Sequence, residues 1–417
     1  MLWPVLILTA AIASIVLRPG GLAPGWSALI GGLACVLTGL VHADDLGMIV
    51  ARTWNPILTL VGLMLLSGVL ARNGAFRVAA HRIARGSRGR GRVLFIGLCA
   101  LTFVATAIVA NDGAILLVTP VVGELATELG FDRRATLAYF FATGFLCDAL
   151  STLLPTSNLT NILLLDMAHV TAGSFIRHMV LPTAAMLVTA IVALAVCFRN
   201  AIPKMLDLGR LASQPSIARG SARATWIAVA VLIVGYIVAA VRELPLGAVV
   251  AVVGGGLAVI ETSAGHIRLR ELLRDLPVGV IGIAVGLFVT VVAVADHGGR
   301  DAVAGLLAPQ GRSHLVVLAV VIAAVTVLAC VGNNLPGFLL ALLALEHVQG
   351  SDGLPFAALL GANVGAKLTP IGSLATLLWF DQLRAHDVAM GWREYMKLAV
   401  MVTPPTAVAG LIVLAVQ

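Results

Sequence analysis

The stretch Val93–Gly123, VLFIGLCALTFVATAIVANDGAILLVTPVVG, decides how this chain sits in a membrane. It is almost wholly apolar and, at about 30 residues, longer than the ~20 a straight helix needs to cross hydrocarbon. Asn111, Asp112 and Gly113 stand in its middle. An amide and a carboxylate at that depth are costly unless they face a cavity or one another, which marks them as candidate site residues. Two basic segments bracket the stretch: Arg72–Arg92 holds seven arginines, and Arg199–Arg223 holds four arginines and Lys204. Positive charge marks the cytoplasmic side, so both belong there. If Val93–Gly123, Ala135–Leu165 and His178–Phe198 each crossed once, the two basic segments would face opposite sides. The conflict vanishes when Val93–Gly123 enters and leaves by one face, as two half-helices turning at Asn111-Asp112-Gly113.

Composition points the same way. With 60% hydrophobic and 11% charged residues over 417 positions, the chain has too little polar surface to cover a soluble globule. Leu2–Leu17, Thr225–Val241, Leu246–Ile260, Pro277–Ala295 and Leu398–Val416 are continuously apolar, which implies helices and not the alternating strands of a membrane barrel. Leu2–Leu17 has no basic residue before it and Arg18 after it, so it reads as a retained helix, not a cleaved signal. The net charge of +7 falls between apolar runs, where it sets topology and implies no nucleic-acid partner. Cys35, Cys99, Cys147, Cys197 and Cys330 stand singly, which excludes a disulfide framework and a CxxC metal site. His81, His266, His347 and His386 fall in loops, and His169, His178, His297 and His314 near span ends. None has metal-ligand spacing, and they read as interfacial side chains with no metal or other cofactor to hold.

Ala135–Leu165 reads as one span unwound around Pro155-Thr156-Ser157-Asn158, since proline removes a backbone donor and irregular backbone at that depth survives only beside a cavity. The second half repeats the plan. Helices beginning near Leu2 and Thr225 are offset by 223 positions, Asn111 and Asn333 by 222, and Pro155 and Pro370 by 215. A second hairpin, Ser313–Leu345, turns at Asn333-Asn334, and a second interrupted span, Phe356–Phe380, breaks around Lys367-Leu368-Thr369-Pro370. The expected fold is therefore an all-α polytopic membrane protein of two repeats (residues 1–198 and 224–417) joined by a cytoplasmic linker at 199–223. Each repeat contributes five crossings, one re-entrant hairpin and one discontinuous helix. Five is odd, so the repeats are inverted, the plan of secondary transporters. Of 27 Lys and Arg, 21 fall in the segments this places inside: around Arg18, and in Arg72–Arg92, Glu124–Arg134, Arg199–Arg223, Thr262–Asp275 and Asp381–Lys397.

At these motifs the sequence resembles the arsenite/antimonite efflux permeases (ArsB). The resemblance is carried by Ala110-Asn111-Asp112-Gly113-Ala114 with Thr119-Pro120-Val121-Val122, by Ser157-Asn158-Leu159-Thr160-Asn161-Ile162, and by Asn333-Asn334-Leu335-Pro336. It is carried most specifically by the run from Lys367 to Trp379, KLTPIGSLATLLW. The resemblance implies the ion transporter superfamily fold, a bacterial inner-membrane location, and export of trivalent arsenic and antimony hydroxides in exchange for protons. It also implies that the permease can work with a cytoplasmic ATPase that binds it and energises export; this chain has no GxxxxGK[ST] segment of its own. Where the family carries an acidic residue four positions before its lysine this chain has Asn363, Ala366 replaces a proline, and Gly337 stands where threonine is usual. Asn363 leaves open any proton-coupling role of that position.

Arsenous acid near neutral pH is an uncharged trihydroxide, so its site needs hydrogen-bond donors and acceptors, which Asn, Ser and Thr supply. Asn111, Asn158, Asn161, Asn333, Asn334, Thr369 and Ser373 flank the four discontinuities and are the expected substrate contacts; capping of broken helices is the plainer use of the same amides. For proton coupling the leading residue is Asp112, with Asp148 second, and Lys367 is the cation that pairs with one of them, either as a tuning partner or as a fixed structural ion pair. Thiol ligation of arsenic by Cys147 or Cys330 is disfavoured, because cargo must leave and lone thiols in apolar helices behave as small hydrophobes. Two competitors stay open: a sodium/proton antiporter or anion/dicarboxylate carrier of the same superfamily, and an intramembrane enzyme. The enzyme lacks support, since neither GxSxG nor HExxH occurs.

Overall fold

The computed structural model describes residues 2–212, 219–242, 244–274, 278–308, 311–346, 348 and 353–417. Ser213, Pro215 and Ser216 of the expected linker, Asp275, Pro277 and His347 lie outside the described residues. Among those described the secondary structure is helical, with one isolated bridge between Arg90 and Met205.

The first half runs α1 (Leu2–Leu17), α2 (Pro24–Leu37), α3 (Ala43–Arg72), α4 (Ala75–Gly86), α5 (Gly91–Glu128), α6 (Arg133–Ala149), α7 (Leu159–Met167) and α8 (Ala172–Cys197). The second half runs α9 (Arg219–Arg242), α10 (Leu246–Ser263), α11 (Leu269–Arg274), α12 (Val278–Val294), α13 (Arg300–Leu307), α14 (His314–Gly332), α15 (Asn334–Leu345), α16 (Leu354–Asn363), α17 (Leu374–Ala385) and α18 (Trp392–Ala415). Eight helical segments among the described residues are long and apolar enough to cross a membrane. The expected polytopic helical class is therefore the class observed.

Four breaks interrupt this pattern, in two matching pairs. In α5 the helix fails at Val109 and Ala110, and Ala110 takes φ 61°, ψ 171°. The chain doubles back there, because Arg77 on α4 meets Glu124 at the far end of α5, 2.6 Å apart. Between α14 and α15, Asn333 takes φ 74°, ψ 152°, and Gly337 returns against Leu328 and Ala329. The two reversals share one backbone conformation, with alanine in one and asparagine in the other. Asn111 therefore corresponds to Asn334, an offset of 223, one residue from the pairing that the asparagines alone would give. The other pair sits in the interrupted spans. Leu154 (φ −117°, ψ 150°) and Thr369 (φ −128°, ψ 149°) each precede a proline-led 3-10 turn. Asn158 (φ −154°, ψ 149°) and Ser373 (φ −145°, ψ 139°) then open α7 and α17.

Packing follows residue size. α2 lies along α12 and α10 along α3, and glycines let backbones touch at both crossings: Gly25 and Gly32 against Gly282 and Gly286, Gly247 and Gly254 against Asn55 and Gly62. A Cβ added at Gly254 would collide with the Gly62 carbonyl, and one at Gly286 with the Ala28 carbonyl. Small residues at such crossings are how membrane helices gain contact without a hydrophobic driving force between them. α6, α15 and α16 are buried on nearly every face and form the centre, whereas α1 and α9 present large apolar side chains outward.

The ion pairs that reach the surface sort to two ends of the bundle. Arg18–Asp381, Arg72–Glu271, Arg77–Glu124 and Arg133–Glu394 gather at the end where α3 finishes. Arg52–Glu346 lies two to three turns from the start of α3, at the other end.

One local expectation needs correction, the loop position of His81, and two of the basic segments carry helix. Arg72–Arg92 is largely α4, in which Phe76, Ala80 and Ala84 recur every four residues and are buried together with Val78. His81 lies on that buried face, 2% exposed, with Nε2 3.6 Å from the Glu128 carboxylate, so it is not an interfacial loop residue. Thr262–Asp275 likewise contains the short helix α11.

Candidate functional site

All four breaks meet at one small chamber of about 40 Å³, room for about one or two waters. The reversal in α5 contributes Asn111 and Asp112, the first interrupted span Asn158 and Thr160, the α14–α15 reversal Asn333 and Asn334, and the second interrupted span Ser373. α12 closes one side with Val280, Ile283 and Ala284. Four helix N-termini therefore point at the same space: the second part of α5, α7, α15 and α17. Asn158 caps α7 by accepting from the Thr160 amide at 3.3 Å, and Asn333 caps α15 by accepting from Leu335 at 3.3 Å. α17 has no side-chain cap.

The polar groups on this chamber are of two kinds. Asn158 donates to Ser151 Oγ at 2.8 Å and Asn333 to the Ile371 carbonyl at 3.2 Å, so both are held in place. Asp112, Asn334 and Ser373 have side chains that make no hydrogen bond among the described residues, which leaves their donors and acceptors for whatever enters.

Behind the chamber lie two buried clusters that bind the interrupted spans together. In the charged one, Asp148 at the end of α6 accepts from Lys367 Nζ at 3.0 Å, from Asn111 Nδ2 at 3.1 Å and from Thr376 Oγ1 at 3.4 Å. Lys367 donates to Thr376 as well, at 2.5 Å, and the Tyr395 ring stands beside it. Both members of the ion pair are sealed, at 1% and 0% exposure. In the neutral cluster, Asn363 at the end of α16 donates to Asn161 Oδ1 at 3.3 Å and accepts from Thr160 Oγ1 at 3.0 Å. Asn161 also donates to the carbonyls of Ser151 and Leu154 at 2.7 and 2.8 Å.

Of the residues singled out from sequence, Asn111, Asp112, Asn158, Asn333, Asn334 and Ser373 line the chamber. Asn161 does not, since its amide is spent on backbone and on Asn363. Thr369 donates to the Cys330 carbonyl at 2.9 Å, away from the chamber. Asp148 and Lys367 pair with each other, and Asp112 stands apart from that pair. Cys330 Sγ bonds the Gly365 carbonyl at 3.4 Å, and no cysteine lines the chamber. Sequence reasoning missed Ser151, Thr160 and Thr376, and met Asn363 only as a departure from a pattern. The 215-position offset between the breaks was the available signal: it relates Asp148 to Asn363 and Asn161 to Thr376.

Inward-pointing half-helices around a polar hollow inside an apolar bundle define a membrane transport protein. Comparison with known proteins narrows this. The family model described as "Arsenical pump membrane protein" matches residues 3–417. The arsenical pump membrane protein of Escherichia coli K12 is 30% identical over 99% of this chain and 97% of its own length. The putative arsenical pump membrane protein of Bacillus subtilis is 25% identical over 94% of each. Among solved structures, the YdaH transporter of Alcanivorax borkumensis has a similar fold, with a TM-score of 0.59 at 15% identity over 90% of this chain and 89% of that one. The chain belongs to the arsenical pump membrane protein family, as its motifs imply.

Proposed function

We propose that the protein exports arsenite, and antimonite with it, from the bacterial cytoplasm across the inner membrane in exchange for entering protons. The observation that carries the reading is the chamber itself, where uncharged donors and acceptors (Asn111, Asn334, Ser373) and one carboxylate (Asp112) face a common space. An uncharged trihydroxide asks for donors and acceptors from several directions and no compensating charge. Asp112 is the proton carrier in this reading. No donor or cation holds its charge in place, so taking up a proton breaks no existing bond, whereas protonating Asp148 would dismantle a sealed ion pair. Asp148 and Lys367 then act as a structural brace between the halves.

The matched backbone dihedrals, and the correspondence of the α2–α12 crossing with the α10–α3 crossing, support two inverted repeats at 1–198 and 224–417. The ion-pair sorting supports placing the arginine-rich end in the cytoplasm. A cytoplasmic ATPase that docks at that end and energises export is part of the proposal.

The anion-carrier reading draws on the uncapped N-terminus of α17 and on Lys367. The lysine, however, is engaged by Asp148 and Thr376 behind the chamber, and Asp112 already brings a negative charge to the α5 terminus. The deciding measurement is arsenite uptake into everted vesicles driven by an imposed pH difference, with antimonite, a dicarboxylate and sodium as competitors. Arsenite uptake that collapses with the pH gradient and is inhibited by antimonite alone supports the proposal. Gradient-driven dicarboxylate or sodium movement with no arsenite uptake overturns it.

A further inference from the structure

A groove of about 760 Å³, far larger than the chamber, lies at the arginine-rich end between α4, α5 and α9. Its walls are apolar: Ile83 of α4, Val104 and Ile108 of α5, and Trp226 and Val229 of α9. Arg82 is the charged residue in its lining, and its exposed guanidinium makes no hydrogen bond or ion pair among the described residues. Other arginines nearby are engaged, Arg77 by Glu124 and Arg85 by the Ala212 carbonyl. The groove therefore combines a vacant cation at its mouth with a long apolar wall in a helix that enters the bilayer. From the start of α5 at Gly91 to Ile108 is about 25 Å of helix, enough to lay an extended acyl chain along.

We propose that this groove is a binding site for an anionic phospholipid of the inner leaflet, its phosphate on Arg82 and one acyl chain running along α5. Charge complementarity selects the headgroup, since basic residues beside membrane helices attract anionic lipids. The deep end of the site is Ile108, next to Val109 and Ala110 where α5 reverses, so the bound chain packs beside the reversal that carries Asn111 and Asp112 into the chamber.

The test reads lipid, not arsenite, and so stands apart from the transport reading. The purified protein is exchanged into mixed phosphatidylcholine and phosphatidylglycerol vesicles, extracted mildly, and its retained lipids are counted by native mass spectrometry. We expect the wild type to retain phosphatidylglycerol over phosphatidylcholine and Arg82→Gln to lose about fivefold of that preference. Arg393→Gln, an exposed arginine on α18 at the same end, should behave as wild type. Val104→Trp, which fills the groove and leaves Arg82 intact, should lower the amount of retained phosphatidylglycerol. Equal preference in wild type and Arg82→Gln, an equal loss in Arg393→Gln, or full retention in Val104→Trp overturns the site.

Discussion

The two interrupted spans carry one backbone plan and two different chemistries. Where the first has Asp148 the second has Asn363, 215 positions on, and where the first has Asn161 the second has Thr376. Each pre-break residue reaches across to the post-break residue of the other span: Asp148 to Thr376 at 3.4 Å, Asn363 to Asn161 at 3.3 Å. One crossing is ionic because Lys367 joins it; at the other crossing an amide pair does the holding. The lesson is that geometry was kept in duplicate while charge was kept once. A second sealed carboxylate without a second lysine would be an uncompensated charge in a low-dielectric centre, which costs several kcal/mol, so asparagine at 363 is the residue that keeps the geometry without the charge.

That contrast can be broken at its charged member with the greatest effect. Lys367→Met leaves Asp148 sealed and unpaired, and the expected loss is about 3–5 kcal/mol, seen as little or no monodisperse protein in detergent. Adding Asp148→Asn to it should restore much of the yield; if the double variant is as poor as the single one, the pair is not the brace described. Next in size, Asp112→Asn should leave yield and thermal unfolding unchanged while pH-driven arsenite uptake into everted vesicles drops to background. Wild-type uptake by that variant would remove Asp112 from the coupling step. Asn363→Asp tests the neutral member: an ionised oxygen replaces the Nδ2 donor and faces Asn161 Oδ1 with no cation beside it, costing several kcal/mol, read as a lowered unfolding temperature. An unchanged unfolding temperature would mean that the amide pair does not matter to the fold. The smallest effect is expected from replacing all five cysteines by alanine, with arsenite uptake kept within about twofold, because no thiol faces the chamber and lone thiols pack as small hydrophobes. Loss of uptake with folding intact would bring arsenic–sulfur contact back.

The breaks were legible because polar residues and proline stand out in an apolar run; Asn111-Asp112 and Pro155 announce themselves against leucine and valine. What they touch was not legible. Thr376 reads as one more residue of a helix, and only its position opposite Asp148 gives it a role. Gly32, Gly62, Gly254 and Gly286 are four glycines among 43, and nothing in composition distinguishes a backbone-to-backbone crossing from a glycine facing lipid. α4 was hidden for a different reason: its arginines are strong topology signals, and they masked the apolar positions Phe76, Val78, Ala80 and Ala84 between them. Asn161 and Thr369 belonged to the right motifs, but their hydrogen bonds go to the protein's own backbone, which a motif does not reveal.

The four helix N-termini that meet at the chamber direct partial positive charge into it, since the first amides of each helix are unpaired by the helix itself and only α7 and α15 have theirs covered by an asparagine cap. With Asp112 ionised its charge roughly offsets the two uncapped termini, and with Asp112 protonated the space is left positive, so in neither state does the hollow hold an excess of negative charge to collect small cations. On the proposed export role, such a hollow could open to either compartment without offering a seat to the cations that sustain the membrane voltage.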